Sequence, residues 1–177
     1  MRRVVMMILL HAIGLAVLAA AALFVLYGRE NTWALLFGKP DLGRVEFETL
    51  TRSPWPNDAL VCPATLCRAR IDREPPVYAV EPTVLRERLR AVLAGLPLVT
   101  RVADYPEALE ERYVAYTPLM RFPDTIRVRY LPAGPGRSTL ALHSQSQLGR
   151  ADWGTNGRRL DDWLARLAAV EPPVAQP

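Results

Sequence analysis

Residues 125–148 read TIRVRYLPAGPGRSTLALHSQSQL, two strand-like segments around a glycine-proline-glycine turn. In the first segment Ile126, Val128 and Tyr130 alternate with arginines, a period of two that is typical of a strand with one buried face. The segment after the turn runs back with similar alternation. Two such strands joined by a short turn predict an antiparallel hairpin.

Further strands and two helices are predicted around this hairpin. Apolar residues recur at helical spacing from Pro82 until Gly95, and again from about Asn156 to Val170. Shorter strands are predicted at residues 77–80, 98–102 and 113–116. The order predicts an α+β domain: an antiparallel sheet of about four to six strands packed against two helices, in a helix-grip-like arrangement with the last helix across a curved sheet.

The N-terminal segment predicts a membrane anchor. From Val4 to Tyr27 there is no charged residue, which gives about 36 Å of helix against a hydrocarbon core of about 30 Å. A cleaved signal peptide is the alternative, because Ala19–Ala22 offers small residues, but apolar residues continue beyond them. Arg2 and Arg3 precede the segment and predict a cytoplasmic N-terminus. We therefore expect a single-pass protein of the bacterial cytoplasmic (inner) membrane with a periplasmic, extracytoplasmic domain.

Composition divides the chain into four expected parts. Residues 1–28 are the cytoplasmic tip and transmembrane anchor, and residues 29–76 form a tether rich in proline and glycine. Residues 77–170 form the α+β domain, and residues 171–177 a disordered tail. Within the tether, the alternation of Arg44–Leu50 predicts a short strand.

Charge and motif content argue against several functional classes. The net charge is +4, and Arg2 and Arg3 lie before the apolar segment, so the remainder is close to neutral. A nucleic-acid-binding protein would need a concentrated basic surface. No glycine-rich phosphate loop or glycine–x–serine–x–glycine elbow occurs, and the adjacent Asp161 and Asp162 diverge on a helix. We expect neither an enzyme nor a bound cofactor.

The two cysteines, Cys62 and Cys67, lie within the tether. In an oxidising compartment the first interpretation is a local disulfide that pins the tether. A redox dithiol more typically has two intervening residues. Zinc would need further ligands, and the two histidines are His11, in the apolar segment, and the isolated His143. No metal site is expected.

Two serines occupy unexpected positions in the strand that follows the turn. With a period of two, Leu140, Leu142, Ser144 and Ser146 share one face, which the leucines mark as buried. The serines are either small packing residues bonded to neighbouring backbone, or part of a polar patch in a pocket between the sheet and the last helix.

The segment from Gly149 to Arg159 supplies the other polar residues of such a pocket. The candidate binding residues are Ser144, Ser146, Arg150, Asp152, Asn156, Arg158 and Arg159. As alternatives, Asp152 or Asn156 caps the helix. Arg158 and Arg159 either hold a phosphate or carboxylate near the helix N-terminus or are solvated.

Residues 143–159, HSQSQLGRADWGTNGRR, resemble the signature of the domain-of-unknown-function 1499 family. That signature is a serine–x–serine strand, a glycine, an aspartate–x–glycine–x–asparagine run and basic residues. The matching positions are Ser144, Ser146, Gly149, Asp152, Gly154, Asn156 and Arg159. Residues 122–124 are similar to the family's step before its hairpin, and Pro56-Asn57 to its entry. The likeness covers roughly residues 54–167.

The chain also departs from the family's pattern. His143 and Gln147 stand where the family tends to place arginines, and Thr125 where it has a second hairpin aspartate. If those groups bind an anion in related proteins, we do not expect the same binding in this chain. The resemblance implies an uncharacterised envelope or membrane-associated protein and supplies no reaction.

From the residues and the resemblance together, we expect the domain to bind a lipid or other small amphiphile between sheet and helix. The alternative is a structural or interaction module that docks another envelope protein. A sizeable pocket lined by Ser144, Ser146 and Asp152 would favour the first function. A fully packed interior would favour the second.

Overall fold

A computed structural model describes residues 2–174 of the chain, which form two compact units divided after Lys39. The first unit is helical. Its helices are α1 (Arg2–Ala22), which continues as a π-helical turn at Leu23–Tyr27, and α2 (Arg29–Phe37).

The N-terminal helix is long and apolar enough to cross a membrane. Arg2–Tyr27 spans 26 residues, none buried within the unit, which is compatible with a single-pass membrane anchor; a signal sequence would meet the same criterion. Gly28, with a φ of 95°, separates it from α2. The first residues of the predicted tether are therefore helical. Trp33 of this helix packs against Phe24 and Phe37, with ring centroids 5.4 and 6.0 Å apart.

The second unit is an antiparallel sheet with two helices. Its strands are β1 (Asp58–Val61), β2 (Val99–Tyr105), β3 (Glu110–Tyr116), β4 (Pro123–Pro132) and β5 (Ser138–Ser146), and its helices are α3 (Pro82–Ala94) and α4 (Thr155–Val170). The five strands lie in the order β1-β5-β4-β3-β2, and every neighbouring pair is antiparallel. The predicted α+β class, with an antiparallel sheet packed against two helices, is confirmed.

Both helices pack on one face of the sheet and form its main core. The alternating residues of β4 and β5 point into this core as predicted, since Ile126, Val128 and Leu142 are almost completely buried. The ring of Trp163 from α4 meets Tyr113 of β3 edge to face, with centroids 5.8 Å apart. The space between the middle of the sheet and α4 is therefore filled by side chains.

The prediction of a tether over residues 29–76 is wrong, because from Pro40 onward the chain belongs to the second unit. Strand β1 pairs with β5, and Asp58 lies opposite Gln145. We call residues 40–76 the covering layer: β1 extends the edge of the sheet, and the chain before and after it packs apolar side chains on the sheet face that the helices leave open. Its buried apolar cluster consists of Phe47, Leu50, Leu60, Cys62 and Cys67, together with Ala141 of β5. Proline-rich composition indicated only an extended chain, and these apolar side chains bind that chain to the sheet.

Two further predicted strands are absent as strands. Residues 44–50 contain extended backbone and a 3-10 turn at Phe47–Thr49. They are held by side chains instead, because Arg44 pairs with Glu110 at 2.7 Å and Glu48 with Arg129 at 2.6 Å. Residues 77–80 form only isolated bridges.

Residues 171–174, the first part of the predicted disordered tail over residues 171–177, are ordered. Tyr78 forms bridges with both Ser138 and Pro173, and the Val174 N–H donates to the Val77 carbonyl at 2.8 Å. These bonds order the first part of the predicted tail. Residues 175–177 lie outside the described residues.

Ion pairs attach the covering layer to the sheet. Arg127 and Arg129 alternate with apolar residues as predicted, but they face this layer, and Arg127 is 5% exposed. Arg112 of β3 pairs with Asp41 at 2.7 Å. The structure also joins Cys62 and Cys67 by a disulfide, with Cα atoms 6.2 Å apart.

Candidate functional site

The loop between β5 and α4 caps the helix through Asp152. Its carboxylate accepts hydrogen bonds from the backbone N–H groups of Gly154 and Asn156, both at 2.9 Å. Trp153 and Gly154 adopt left-handed conformations, with φ values of 54° and 76°, so the chain turns sharply before the helix begins. Gly154 occupies the N-cap position itself. Of the two residues predicted as possible caps, Asp152 has this role, because its carboxylate satisfies the Asn156 N–H, which the start of the helix leaves unpaired.

Asn156 is fully buried and forms the centre of a polar network. Its Oδ1 accepts hydrogen bonds from the Ser144 hydroxyl and, at 2.8 Å, from Arg159. Its Nδ2 donates to the Ser146 hydroxyl at 2.9 Å and to Asp152 at 2.8 Å. Ser144 is thus bonded to a side chain of α4 and not to neighbouring backbone, and the two serines attach β5 to the helix.

A buried ion pair closes the network on the side of β4. Arg159 donates to Asp124 at 2.5 Å, and the two side chains are only 11% and 2% exposed. Burial raises the pKa of Asp124, although Arg159 and a hydrogen bond from Ser146 oppose this shift. Removing either partner would leave a buried charge without compensation, which is strongly destabilising.

The segment before β1 completes the network. The Asn57 carbonyl accepts hydrogen bonds from the Ser146 N–H at 2.8 Å and from Asn156 Nδ2 at 3.1 Å. The Asn57 side chain donates to the Gly149 carbonyl at 2.8 Å, and the Asp152 N–H donates to the Pro56 carbonyl. Three distant parts of the chain therefore meet around Asn156.

Five of the seven predicted binding residues come together in this network: Ser144, Ser146, Asp152, Asn156 and Arg159. The other two, Arg150 and Arg158, lie elsewhere. The guanidinium of Arg150 lies over the ring of Trp55, 4.5 Å from its centroid. Arg158 donates to the Trp153 carbonyl and to Thr155 on the exposed side of the helix. Arg158 and Arg159 therefore do not form a joint anion site.

Asp124 and Asn57 belong to the network but were not among the predicted binding residues. A sequence signal for both existed, since each lies in a short segment that is similar to the family pattern, residues 122–124 and residues 56–57. The sequence does not reveal their bonds to α4, because these bonds join residues as far apart as Asn57 and Asn156.

An open groove of about 590 Å³ runs beside the network, and we call it the apolar groove. Its walls contain large apolar side chains: Leu119, Met120, Phe122, Leu148 and Trp153. Its floor contains Asp124, Ser146 and Asp152. Ser144 does not line it. The predicted pocket between sheet and α4 is therefore replaced by a groove at the end of the sheet, bordered by the β3–β4 and β5–α4 loops.

His143 lies on the opposite face of β5 from the serines, as predicted. Its Nε2 is 3.0 Å from Asp58, and its Nδ1 is 3.1 Å from the Arg127 guanidinium. Because arginine only donates, Nδ1 is the acceptor and the ring is neutral. Burial lowers the pKa of His143. Burial alone would raise the pKa of the Asp58 carboxyl. Hydrogen bonds from His143 and Arg52 outweigh this effect and lower the pKa of Asp58 to about 2. This geometry keeps His143 from activating Ser144.

Residues 2–174 contain no group of three His, Cys, Asp or Glu side chains placed to hold a metal ion. The polar network is instead composed of amide, hydroxyl, carboxylate and guanidinium groups that bond to one another. Only its outer members, at the floor of the apolar groove, are placed to meet a ligand.

Comparison with known proteins identifies the family. No curated protein gives a significant match to the sequence. A model of a family of proteins of unknown function matches residues 56–167, from the segment before β1 to the last turns of α4. The match includes all five strands, both helices of the domain and the whole network around Asn156. This chain therefore belongs to the DUF1499 family of proteins of unknown function.

Proposed function

We propose that the domain binds a lipid or other small amphiphile in the apolar groove. The observation that carries the proposal is the combination of apolar walls with a polar floor. Leu119 and Trp153 are 75% and 87% exposed, and large apolar side chains concentrated at one site often mark a binding surface. The volume of about 590 Å³ lies within the range of small-molecule sites.

The walls suit the apolar part of such a ligand. Each methylene group that leaves water contributes about 0.8 kcal/mol, so a chain of several methylenes gains enough to offset part of the entropy lost on binding. Leu119 and Met120 lie at the tip of the β3–β4 loop, and Trp153 lies in the loop opposite. A chain between them would cover apolar surface on both loops.

The floor favours a head group that donates hydrogen bonds. It contains the carboxylates of Asp124 and Asp152, whereas one guanidinium, that of Arg159, is paired with Asp124. A carboxylate head would meet carboxylate oxygens and be repelled. A hydroxyl head would find acceptors in Asp152 and in the Ser146 hydroxyl.

We also propose a setting for this binding. The domain lies on the periplasmic side of the bacterial inner membrane, with a single-pass anchor and a cytoplasmic N-terminus. Arg2 and Arg3 before the apolar helix support this orientation. The disulfide between Cys62 and Cys67 supports an oxidising compartment. Binding and not catalysis is the proposed role.

A docking module for another envelope protein is the second candidate. One observation favours it: the space between the sheet and α4 is filled, with Leu160, Trp163 and Leu167 almost completely buried. A protein partner could cover Leu119 and Trp153 instead of a lipid. The polar floor of the groove favours the small amphiphile, because it provides hydrogen-bonding groups below the apolar walls.

The test uses the full chain held in amphipol and labelled with 5-fluorotryptophan. Titration with octan-1-ol is expected to shift the ¹⁹F resonance of Trp153, and octanoate to shift it only at higher concentration. Leu119→Ser should weaken octan-1-ol binding several-fold, whereas Val102→Ser removes a 42% exposed apolar side chain on β2, outside the groove, and should not. Equal binding by both variants would show that the groove is not the site. Crosslinking to one envelope protein through Leu119, with no shift by octan-1-ol, would favour the docking module.

A further inference from the structure

A second groove, of about 730 Å³, lies on the other side of the β5–α4 loop. Ala151, Asp152 and Trp153 line both grooves, so this part of the loop is a shared wall. We call the second one the tryptophan groove, because Trp55 and Trp153 both line it. These side chains are 46% and 87% exposed. A ligand lying across Trp153 could occupy both grooves at once.

The charges around the tryptophan groove have both signs and are already paired. Arg52 lies 2.7 Å from Asp58 and 3.0 Å from Asp72, and Arg70 and Asp152 add one further charge of each sign. A phosphate would be repelled by the carboxylates, and an ammonium group would be repelled by the guanidiniums. A neutral group with several hydroxyls, which both donate and accept, suits such a surface better than either ion.

The two indole rings place a second requirement on the chemistry of the ligand. An exposed indole presents a flat apolar face beside a polar edge, and the Arg150 guanidinium, 4.5 Å from the Trp55 ring centroid, restricts the orientation of that ring. A sugar ring has a matching form, with C–H groups on its face and hydroxyls around its edge. The aromatic faces and the mixed charges of the tryptophan groove therefore select the same chemical class.

Gly157 provides an independent observation. It lies in α4, lines the tryptophan groove, and has no positive φ that would require glycine. A Cβ built at this position would meet no atom within 4 Å. Glycine inside a helix costs about 1 kcal/mol relative to alanine, so the fold gives no reason for it. A side chain here would instead project into the tryptophan groove, where a ligand could otherwise approach the helix backbone.

We infer that the ligand is a glycosylated amphiphile, whose apolar chain lies in the apolar groove and whose neutral sugar lies in the tryptophan groove, next to Trp55 and Gly157. This assignment depends on the amphiphile binding proposed above. It adds the chemistry of the head group and places a sugar head beyond Asp152, which lines both grooves, instead of on the floor of the apolar groove. Trp153, which lines both grooves, contacts the junction between chain and sugar.

The experiment compares probes with the same chain and different heads. Full-length protein in amphipol, labelled with 5-fluorotryptophan, is titrated with octyl β-D-glucoside, octan-1-ol, octyl phosphate and octyltrimethylammonium. The glucoside is expected to shift the resonances of both Trp55 and Trp153, and to bind about tenfold more tightly than octan-1-ol, a difference of about 1.4 kcal/mol. Octan-1-ol is expected to shift Trp153 alone, and both charged probes to bind more weakly than the glucoside.

Gly157→Ala separates binding from stability. Alanine is expected to raise the melting temperature by a few degrees, because it favours the helix, and to weaken glucoside binding about tenfold while octan-1-ol binding is retained. The matched control is Gly14→Ala, a helical glycine of α1 with equally open space around it, which should not alter glucoside binding.

The outcomes distinguish this inference from the proposed function. If octan-1-ol shifts Trp153 but the glucoside leaves Trp55 unaffected, or if Gly157→Ala binds the glucoside as tightly as the unchanged protein, the sugar site is refuted and amphiphile binding stands. A charged probe that binds more tightly than the glucoside also refutes it. If no probe shifts Trp153, amphiphile binding itself is refuted.

Discussion

Replacing Asn156 with alanine is expected to destabilise the domain by about 4 kcal/mol. The side chain is fully buried, and its loss removes five hydrogen bonds: those from Ser144 and Arg159 to Oδ1, and those from Nδ2 to Ser146, Asp152 and the Asn57 carbonyl. Each such bond contributes about 1 kcal/mol to stability, and the Ser144 and Ser146 hydroxyls keep Arg159 and Asp124 as partners. The Asn57 carbonyl also loses one donor but keeps the Ser146 N–H. For a unit of this size, about 4 kcal/mol corresponds to a fall in melting temperature of roughly 12 °C.

The assay is thermal unfolding of the full chain in amphipol, followed by near-ultraviolet circular dichroism. Arg158→Ala is the matched control, because Arg158 lies on the same helix and bonds only at its exposed surface. Its effect should stay within about 0.5 kcal/mol. If Asn156→Ala melts within about 2 °C of Arg158→Ala, the network does not stabilise the fold in the way its geometry indicates.

Three further predictions concern the covering layer and the face it contacts. His143→Gln should reduce the loss of stability between about pH 7 and 5. Burial holds the pKa of His143 below its ordinary value of 6.5. As the pH drops through 6.5 the unfolded state therefore takes up the proton first, and the stability of the folded state falls. The measurement is the melting temperature at pH 5, 6 and 7, and an equal change in the variant and the unchanged protein would contradict this reasoning. Reduction of the disulfide between Cys62 and Cys67, which closes a loop of sequence separation 5, should cost about 2 kcal/mol by the chain-entropy relation. Urea midpoints with and without reductant measure this cost, and coinciding midpoints would exclude it. Phe47→Ala should cost about 3–5 kcal/mol in the same urea assay, because Phe47 is 1% exposed; an unchanged midpoint would mean that residues 40–76 are a free tether after all.

The hairpin and the helices of the domain were accessible to sequence reasoning because periodicity records which face of an element is buried. Ile126, Val128 and Tyr130 point to one side whatever lies on the other. The covering layer has no such period. Its apolar residues are irregularly spaced, and proline is compatible with extended backbone both in a segment that lies on a sheet and in a free tether.

The charged residues show the same limit. Arg127 and Arg129 alternate with apolar residues, a pattern that usually places charges in water. Their face is covered, and acidic side chains far along the chain neutralise it: Glu48, the partner of Arg129, lies 81 positions away. Alternation identifies the two faces of a strand, but it does not show whether the second face meets solvent or another part of the chain.

The candidate site was predicted in part for a comparable reason. Ser144 and Ser146 could be recognised because they continue a face that begins with leucines, and such buried hydroxyls need partners. Arg150 and Arg158 lie in the same dense polar segment, and composition alone does not separate them from the residues of the network. Adjacent helical residues diverge by about 100°, so Arg159 faces β4 whereas Arg158 faces outward. Asp124 and Asn57 required knowledge of the tertiary contacts.

The position of β1 beside β5 also has a consequence for the order of folding. Asp58 is opposite Gln145 and Val61 is opposite Leu142, so the first strand to be synthesised pairs with the last. Contacts this distant in sequence form slowly. Until Ser138–Ser146 leaves the ribosome, the covering layer has no sheet beside β1 to pack against. A nascent or truncated chain that ends before this strand would expose its apolar cluster and an unpaired strand, a state open to aggregation. The disulfide joins cysteines close in sequence, so it can form during this interval and preorganise the layer before β5 arrives.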